Sequence, residues 1–237
     1  MSAPGDVGVQ AAAAAAAALV ADGAKVGLGS GRASAAFVSK LAERVRAGLS
    51  VSCVATSRAT DAQARALGLR MIELDEDVEL DIIVDGADEV TPHLDLVKGR
   101  GGALVRERIV AGVSRRQVIV VGPEKLVAAI GETGGVPVEI IPLALGPCRR
   151  RFRALGLQPN LRADPADRAR PFISDNGNLT LDVGLATPLA DAAALRALEA
   201  SLRSIPGVVD TGLFLGTAER VLVGHADGRV DTRLRAD

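Results

Sequence analysis

Short apolar runs alternate with amphipathic stretches through the first half of the chain. Ala24-Lys25-Val26-Gly27-Leu28 predicts a strand that ends in Gly29-Ser30-Gly31. A helical pattern follows, with Ala35, Val38, Leu41, Ala42 and Val45 on one face. Residues 51–55 predict a second strand and 58–67 a helix that Gly68 stops. Residues 70–74 and 81–84 read as further strands, 103–113 as a helix and 117–121 as a buried strand. This alternation predicts an α/β fold: a mostly parallel, Rossmann-like sheet with helices on both faces.

The order then changes. Residues 136–141 are strand-like, and 147–155 form a helix crowded with Arg149, Arg150, Arg151 and Arg153. Residues 157–162 predict a strand, 172–183 a hairpin or a turn plus a strand, 192–202 a helix and 207–214 a strand. Strand-helix-strand-strand-helix-strand is the split βαβ, ferredoxin-like pattern. The expected organisation is therefore an α/β catalytic domain of residues 1–130 plus 217–237, with a smaller α+β domain of residues 131–216. The arginine cluster is a solvated helix face or a subunit contact.

Composition narrows the functions. With 237 residues, either arrangement can bury a proper core. A net charge of −1, 2% aromatics and no Trp or Tyr argue against nucleic acid as a partner, electrostatically and by stacking. Cys53 and Cys148 sit far apart without metal-site spacing, and His93 and His225 have no ligand partners at the right separation. The alanine run from Ala11 to Ala18 lacks a preceding Lys or Arg, and Asp6 precedes it. It is too short and too weakly apolar to span a bilayer. An alanine-rich helix packed closely on a sheet is expected, in a cytoplasmic protein with no membrane partner.

The candidate chemistry lies at predicted strand exits, where open α/β sheets bind ligands. Gly29-Ser30-Gly31 between a strand and a helix is either a plain tight turn or an anion site built from backbone amides and the helix dipole. It matches no nucleotide fingerprint. Arg32 opens that helix and adds a fork of donors, or faces solvent. Asp85-Gly86-Ala87-Asp88-Glu89 follows the apolar run Ile82-Ile83-Val84, and Lys98-Gly99-Arg100-Gly101-Gly102 precedes a helix carrying Glu107. Taken singly, each aspartate is explained by capping or turn formation. Together with Lys98 and Glu107 they point to proton transfer on a phosphorylated polyol. A carboxylate takes a proton beside a carbonyl, and a lysine balances the developing oxyanion. The scheme demands neither a metal nor a redox cofactor. It does require the four ionic groups to share one small hollow.

These segments resemble ribose-5-phosphate isomerase of the A type, and the resemblance runs from about residue 24 to residue 230. Its most specific stretches are Asp85–Glu89, Lys98–Leu104 and Arg106–Val110. Pro137-Val138-Glu139, Asp175-Asn176-Gly177-Asn178 and Pro206–Val209 with Gly212-Leu213-Phe214 support it. It implies interconversion of ribose 5-phosphate and ribulose 5-phosphate through an enediol, without metal or cofactor, in a homodimer or homotetramer. By matching positions, Glu107 is the general base, Asp85 and Asp88 handle hydroxyl protons, and Lys98 stabilises the enediolate. Gly86, Ala87, Gly99, Arg100 and Gly101 line the substrate, Gly29 to Ala33 form the phosphate-side loop, and Lys125 closes on the sugar phosphate.

Four departures stand out. Where the family's loop reads Gly-Thr-Gly-Ser-Thr, this chain has Gly29-Ser30-Gly31-Arg32-Ala33. Val9-Gln10-Ala11 replaces the region of an early lysine, Gly122-Pro123-Glu124-Lys125 replaces Asp-x-Ser-Lys, and Arg100 stands for a glycine. Either Arg32 or Arg100 restores the phosphate grip, or the preferred sugar has changed. A sugar-phosphate sensor without turnover, a related deaminase and an acyl-CoA transferase are the competing readings, and the intact acid–lysine set disfavours each.

Overall fold

The computed structural model describes residues 4–235. Its elements run α1 (Pro4–Ala18), β1 (Lys25–Leu28), α2 (Arg32–Arg46), β2 (Ser52–Ala55), α3 (Arg58–Ala66), β3 (Ile82–Asp85), β4 (Glu89–Val90), β5 (Leu96–Val97) and α4 (Leu104–Gly112). After these come β6 (Gln117–Val121), β7 (Val136–Ile140), α5 (Leu145–Ala154), β8 (Gln158–Leu161), β9 (Leu179–Gly184), α6 (Ala192–Arg203), β10 (Val208–Thr211), β11 (Leu213–Phe214), β12 (Arg220–Gly224) and β13 (Val230–Leu234). The chain divides into two units: residues up to 87, 106–126 and from 216 onward, and residues 88–105 with 127–215.

The first unit is the α/β sheet, in the order β13-β12-β6-β3-β1-β2. Every pairing is parallel except β12 with β13. One face of the sheet presents Val26, Leu28, Val84, Val118 and Val120 to a core with Ala12, Ala13, Ala16 and Ala17 of α1 and Phe37 and Leu41 of α2. The alanine run is small because the helix lies close: a Cβ on Gly8 would come within 2.4 Å of the Gly224 carbonyl oxygen. On the other face Val54, Leu80 and Ile83 pack with Val110 of α4. The fully apolar character of β3 and β6 follows from this two-sided burial. None of the described helices is long and apolar enough to cross a membrane.

Topology fixes where chemistry is possible. From β1 the chain crosses to β2 on one side and then to β3 on the other, so strand order reverses between β1 and β3. The carboxyl ends of these two strands flank the crevice at which open α/β sheets take ligands.

The second unit holds β7-α5-β8-β9-α6-β10, paired antiparallel in the order β10-β7-β9-β8. This is the expected split βαβ arrangement. Val138, Ile140, Leu181 and Val183 face Cys148 and Phe152 of α5 and Leu202 of α6. Residues 172–183 resolve into a turn followed by β9, and 207–214 break at Gly212 into β10 and β11.

Two sequence expectations need adjustment. Residues 88–105, assigned to the sheet domain, group with the second unit. There β4, β5 and β11 form a three-stranded antiparallel sheet of two-residue strands. Residues 70–74 make only an isolated bridge, Met71 to Cys53, because the segment passes the edge of β2 without continuing along it.

Candidate active site

In the first unit the reversal point is occupied by Asp85 and the loop after β1. Asp85 is the last residue of β3 and fully buried. Its Oδ1 accepts from the Ser30 amide at 3.1 Å, the Ser34 hydroxyl at 3.1 Å and the Gly86 amide at 2.7 Å. A carboxylate at the end of an apolar strand is costly unless donors meet it, and three do. Gly29 allows the approach: a Cβ there would lie 2.1 Å from Asp85 Oδ1.

The loop itself is braced by hydroxyls. Ser30 Oγ lies 2.7 Å from Thr56 Oγ1, and Thr60 Oγ1 donates to the Gly29 carbonyl at 3.0 Å. Gly31, at φ +88°, is the residue before α2 and gives the helix no side-chain cap. Arg32 is exposed at the first position of α2, Ala33 is half-buried, and Gly86 lies beside Ala33. Gly29, Ser30, Gly31, Arg32, Ala33, Asp85 and Gly86 are therefore brought together. Ser34 and Thr56 were missed by the sequence reading. Their contacts to Asp85 and Ser30 span 51 and 26 residues, which no local pattern reveals.

Glu107 stands in the first turn of α4 and is buried. One turn further along the same helix side, Val110 meets Gly27 of β1, where a Cβ would be 2.9 Å from Val110 Cγ1. Gly27 thus sets how deeply α4, and Glu107 with it, settles on the sheet. Lys125 ends a short 3₁₀ turn just past β6, half-buried. A cavity of about 400 Å³ in this unit is lined by Ser57, Arg58, Ile72, Arg106 and Ile109 among others, and by none of the expected site residues.

In the second unit Asp88, Lys98 and the glycine loop form their own group. The Asp88 amide donates to the Val97 carbonyl at 2.7 Å, and Asp88 Oδ2 accepts from the Arg100 amide at 2.9 Å. Lys98 is 2% exposed, and its ammonium lies 5.4 Å from the centroid of the Phe214 ring. A cation over an aromatic face is stabilised by the ring quadrupole. The Lys98 amide donates to Gly212 at 2.8 Å, and the Gly212 amide to Pro137 at 2.7 Å, which ties the lysine's backbone to the split βαβ sheet. Phe214 was not among the expected site residues.

Arg100 is paired with a buried acid. Its Nη2 donates to Glu89 Oε1 at 3.0 Å, and Glu89, fully buried, also takes the amides of Gly131 and Thr133 and the Thr133 hydroxyl. Gly99, at φ +100°, lies between Lys98 and Arg100, and Gly101 follows Arg100; Ala87 is the residue before Asp88 and closes the first segment of the first unit.

A family model, ribose 5-phosphate isomerase A (phosphoriboisomerase A), matches residues 52–228. The chain belongs to this family. Ribose-5-phosphate isomerase A of Thermomicrobium roseum is 46% identical over 214 residues, 90% of this chain and 88% of the relative. Ribose 5-phosphate isomerase A from Methanocaldococcus jannaschii superposes with a TM-score of 0.88 at 36% identity, covering 95% and 97% of the two chains. A D-ribose-5-phosphate isomerase in complex with phospho-erythronic acid superposes at 0.90 with 32% identity, covering 96% and 97%. Membership in the ribose 5-phosphate isomerase A family makes this chain an intramolecular oxidoreductase with the α/β architecture described above.

Proposed function

We propose that the chain interconverts ribose 5-phosphate and ribulose 5-phosphate by proton transfer through an enediolate. Glu107 takes the C2 proton of the open-chain aldose and returns it to C1. Meanwhile a proton passes from the C2 oxygen to the C1 oxygen, handled by Asp85 and Asp88, which also serve ring opening. Lys98 balances the charge on the enediolate oxygens. Each role is filled by a side chain of this chain, so the scheme runs without metal. The observation that carries the reading is Asp85 at the sheet's reversal point, held by three donors beside a hydroxyl-lined loop at the start of a helix.

That loop and the α2 terminus receive the phosphate. Ser30, braced by buried Thr56, supplies a hydroxyl, and Arg32 supplies the cation. Arg100 is the poorer candidate because Glu89 already neutralises it. Lys125 closes over the substrate. The solved relative that holds phospho-erythronic acid, a phosphorylated acid, supports an anionic sugar-phosphate ligand. Initial rates on ribose 5-phosphate with a chelator present test the reading, beside Glu107→Gln. Turnover in the parent and near-silence in the variant are expected. Binding of ribose 5-phosphate without turnover in the parent would favour a sensor instead, and equal rates in both proteins would remove Glu107 as the base.

A further inference from the structure

One guanidinium in the second unit grips the lysine loop from behind. Arg162 follows β8, and its side chain is 12% exposed. Its Nη1 donates to the carbonyls of Gly99 at 2.8 Å and Arg100 at 3.0 Å. Its other edge forks onto Asp182 of β9, Nε to Oδ2 at 3.0 Å and Nη2 to Oδ1. Asn160, two residues before Arg162, is the direct partner of Asp182 across the β8–β9 ladder. The fork is thus a diagonal cross-strand pair. The guanidinium also sits over the Phe172 ring, 5.7 Å from its centroid. That ring abuts the loop in turn, since a Cβ on Gly102 would fall 2.2 Å from Phe172 Cζ.

The consequence lies in a single peptide plane. In a trans peptide the carbonyl and the amide hydrogen point in opposite directions. The Gly99–Arg100 peptide gives its carbonyl to Arg162 and its N–H to Asp88 Oδ2. Arg162 cannot shift without tilting the donor that holds Asp88. A cation on the carbonyl also polarises the amide and strengthens its bond to the carboxylate.

We propose that Arg162 is a positioning residue for the isomerase reaction, acting on Asp88 through the Gly99–Arg100 peptide, with Asp182 and Phe172 holding its plane. This rests on the role of Asp88 given above. Lysine cannot replace it, because an ammonium serves as a point charge and cannot span both the carboxylate and the two carbonyls in one plane.

The test is a double-mutant cycle on the full chain, with kcat and KM measured separately for ribose 5-phosphate. Arg162→Lys in the parent background is expected to lower kcat about tenfold, as a misplaced reacting group does, with KM moved less than about threefold. In the Asp88→Ala background the same change is expected to cost less than about twofold, because coupled residues are not additive. An equal loss in both backgrounds would overturn the proposal, since a purely structural role is additive. So would Arg162→Lys at parental kcat. Parental activity in Asp88→Ala would instead overturn the role of Asp88 itself, and the proposal with it. Should Arg162→Lys lose its cooperative unfolding transition, Asp182→Asn enters the same cycle. It keeps the guanidinium but removes its carboxylate anchor, and the same non-additivity is expected.

Discussion

Gly29→Ala probes whether Asp85 is held where the chemistry needs it. The added methyl would lie 2.1 Å from Asp85 Oδ1, 2.2 Å from Cγ and 2.6 Å from Cα. Carbon atoms in good contact sit about 3.5–4.0 Å apart, so about 1 Å of separation must be created. Swinging the side chain about Cα–Cβ relieves the first two contacts but not the third, because the Cα belongs to β3. The Gly29 amide also donates to Val84 at 2.9 Å, which pins the two strand ends together. Overpacking of this kind costs about 1–3 kcal/mol. For a chain of this size each kcal/mol is worth about 2–4 °C in Tm. Moving Asp85 by about 1 Å breaks its geometry with Ser30, Ser34 and Gly86, and a misplacement of that size costs about 100-fold in rate. The assay pairs a thermal melt with initial rates on ribose 5-phosphate. Gly112→Ala is the control, because a Cβ there meets nothing within 4 Å and a helical Gly→Ala change is neutral or stabilising by about 0.5–1 kcal/mol. A Gly29→Ala protein with parental Tm and parental kcat/KM would refute the steric reasoning and the importance of where Asp85 sits.

Arg32→Ala is expected to raise KM for ribose 5-phosphate about 10- to 150-fold, the equivalent of one charge-assisted contact of about 1.5–3 kcal/mol; an unchanged KM removes Arg32 from the phosphate grip. Burial pushes the Cys53 thiol up to about 12 and raises that of Cys148 as well, so neither is expected to react with iodoacetamide in the native protein at about pH 8 while both do in denaturant. Fast native labelling would contradict that. The Arg116 guanidinium, with Arg220, holds the Glu219 carboxyl below its ordinary value. A depressed carboxyl adds stability above its unfolded pKa and loses it as pH falls through the folded one. Glu219→Gln should therefore destabilise by about 0.2–1 kcal/mol at neutral pH, the screened worth of a half-exposed pair, and by less in strong acid. A deficit that grows on acidification would show the sign to be wrong.

The features legible in the sequence were the local ones. Gly29-Ser30-Gly31 between a strand and a helix, Asp85 at the end of an apolar run and Glu107 in a first turn all follow from patterns a few residues long. The split βαβ order was likewise carried by periodicity in 136–214. What stayed hidden depends on pairing across distance. Strands β4, β5 and β11 have two residues each, too few for any alternation to register. Thr56 looked like an ordinary residue after a strand, and its role as partner of Ser30 appears only once β1 and β2 lie side by side. Arg100 stood as one candidate for the phosphate grip, and only the fold brings it to Glu89. Residues 70–74 carry strand-like composition yet lack a neighbour along most of their length, which shows that composition alone does not make a ladder.

Strand β12 lies about a hundred residues after β6 in sequence yet sits beside it inside the sheet, between β6 and β13. A ribosome must therefore add about a hundred residues after β6 before that strand acquires its outer neighbour, and until then β6 offers an unpaired apolar edge to whatever is nearby. Removing residues 220–224 would therefore excise an interior plank.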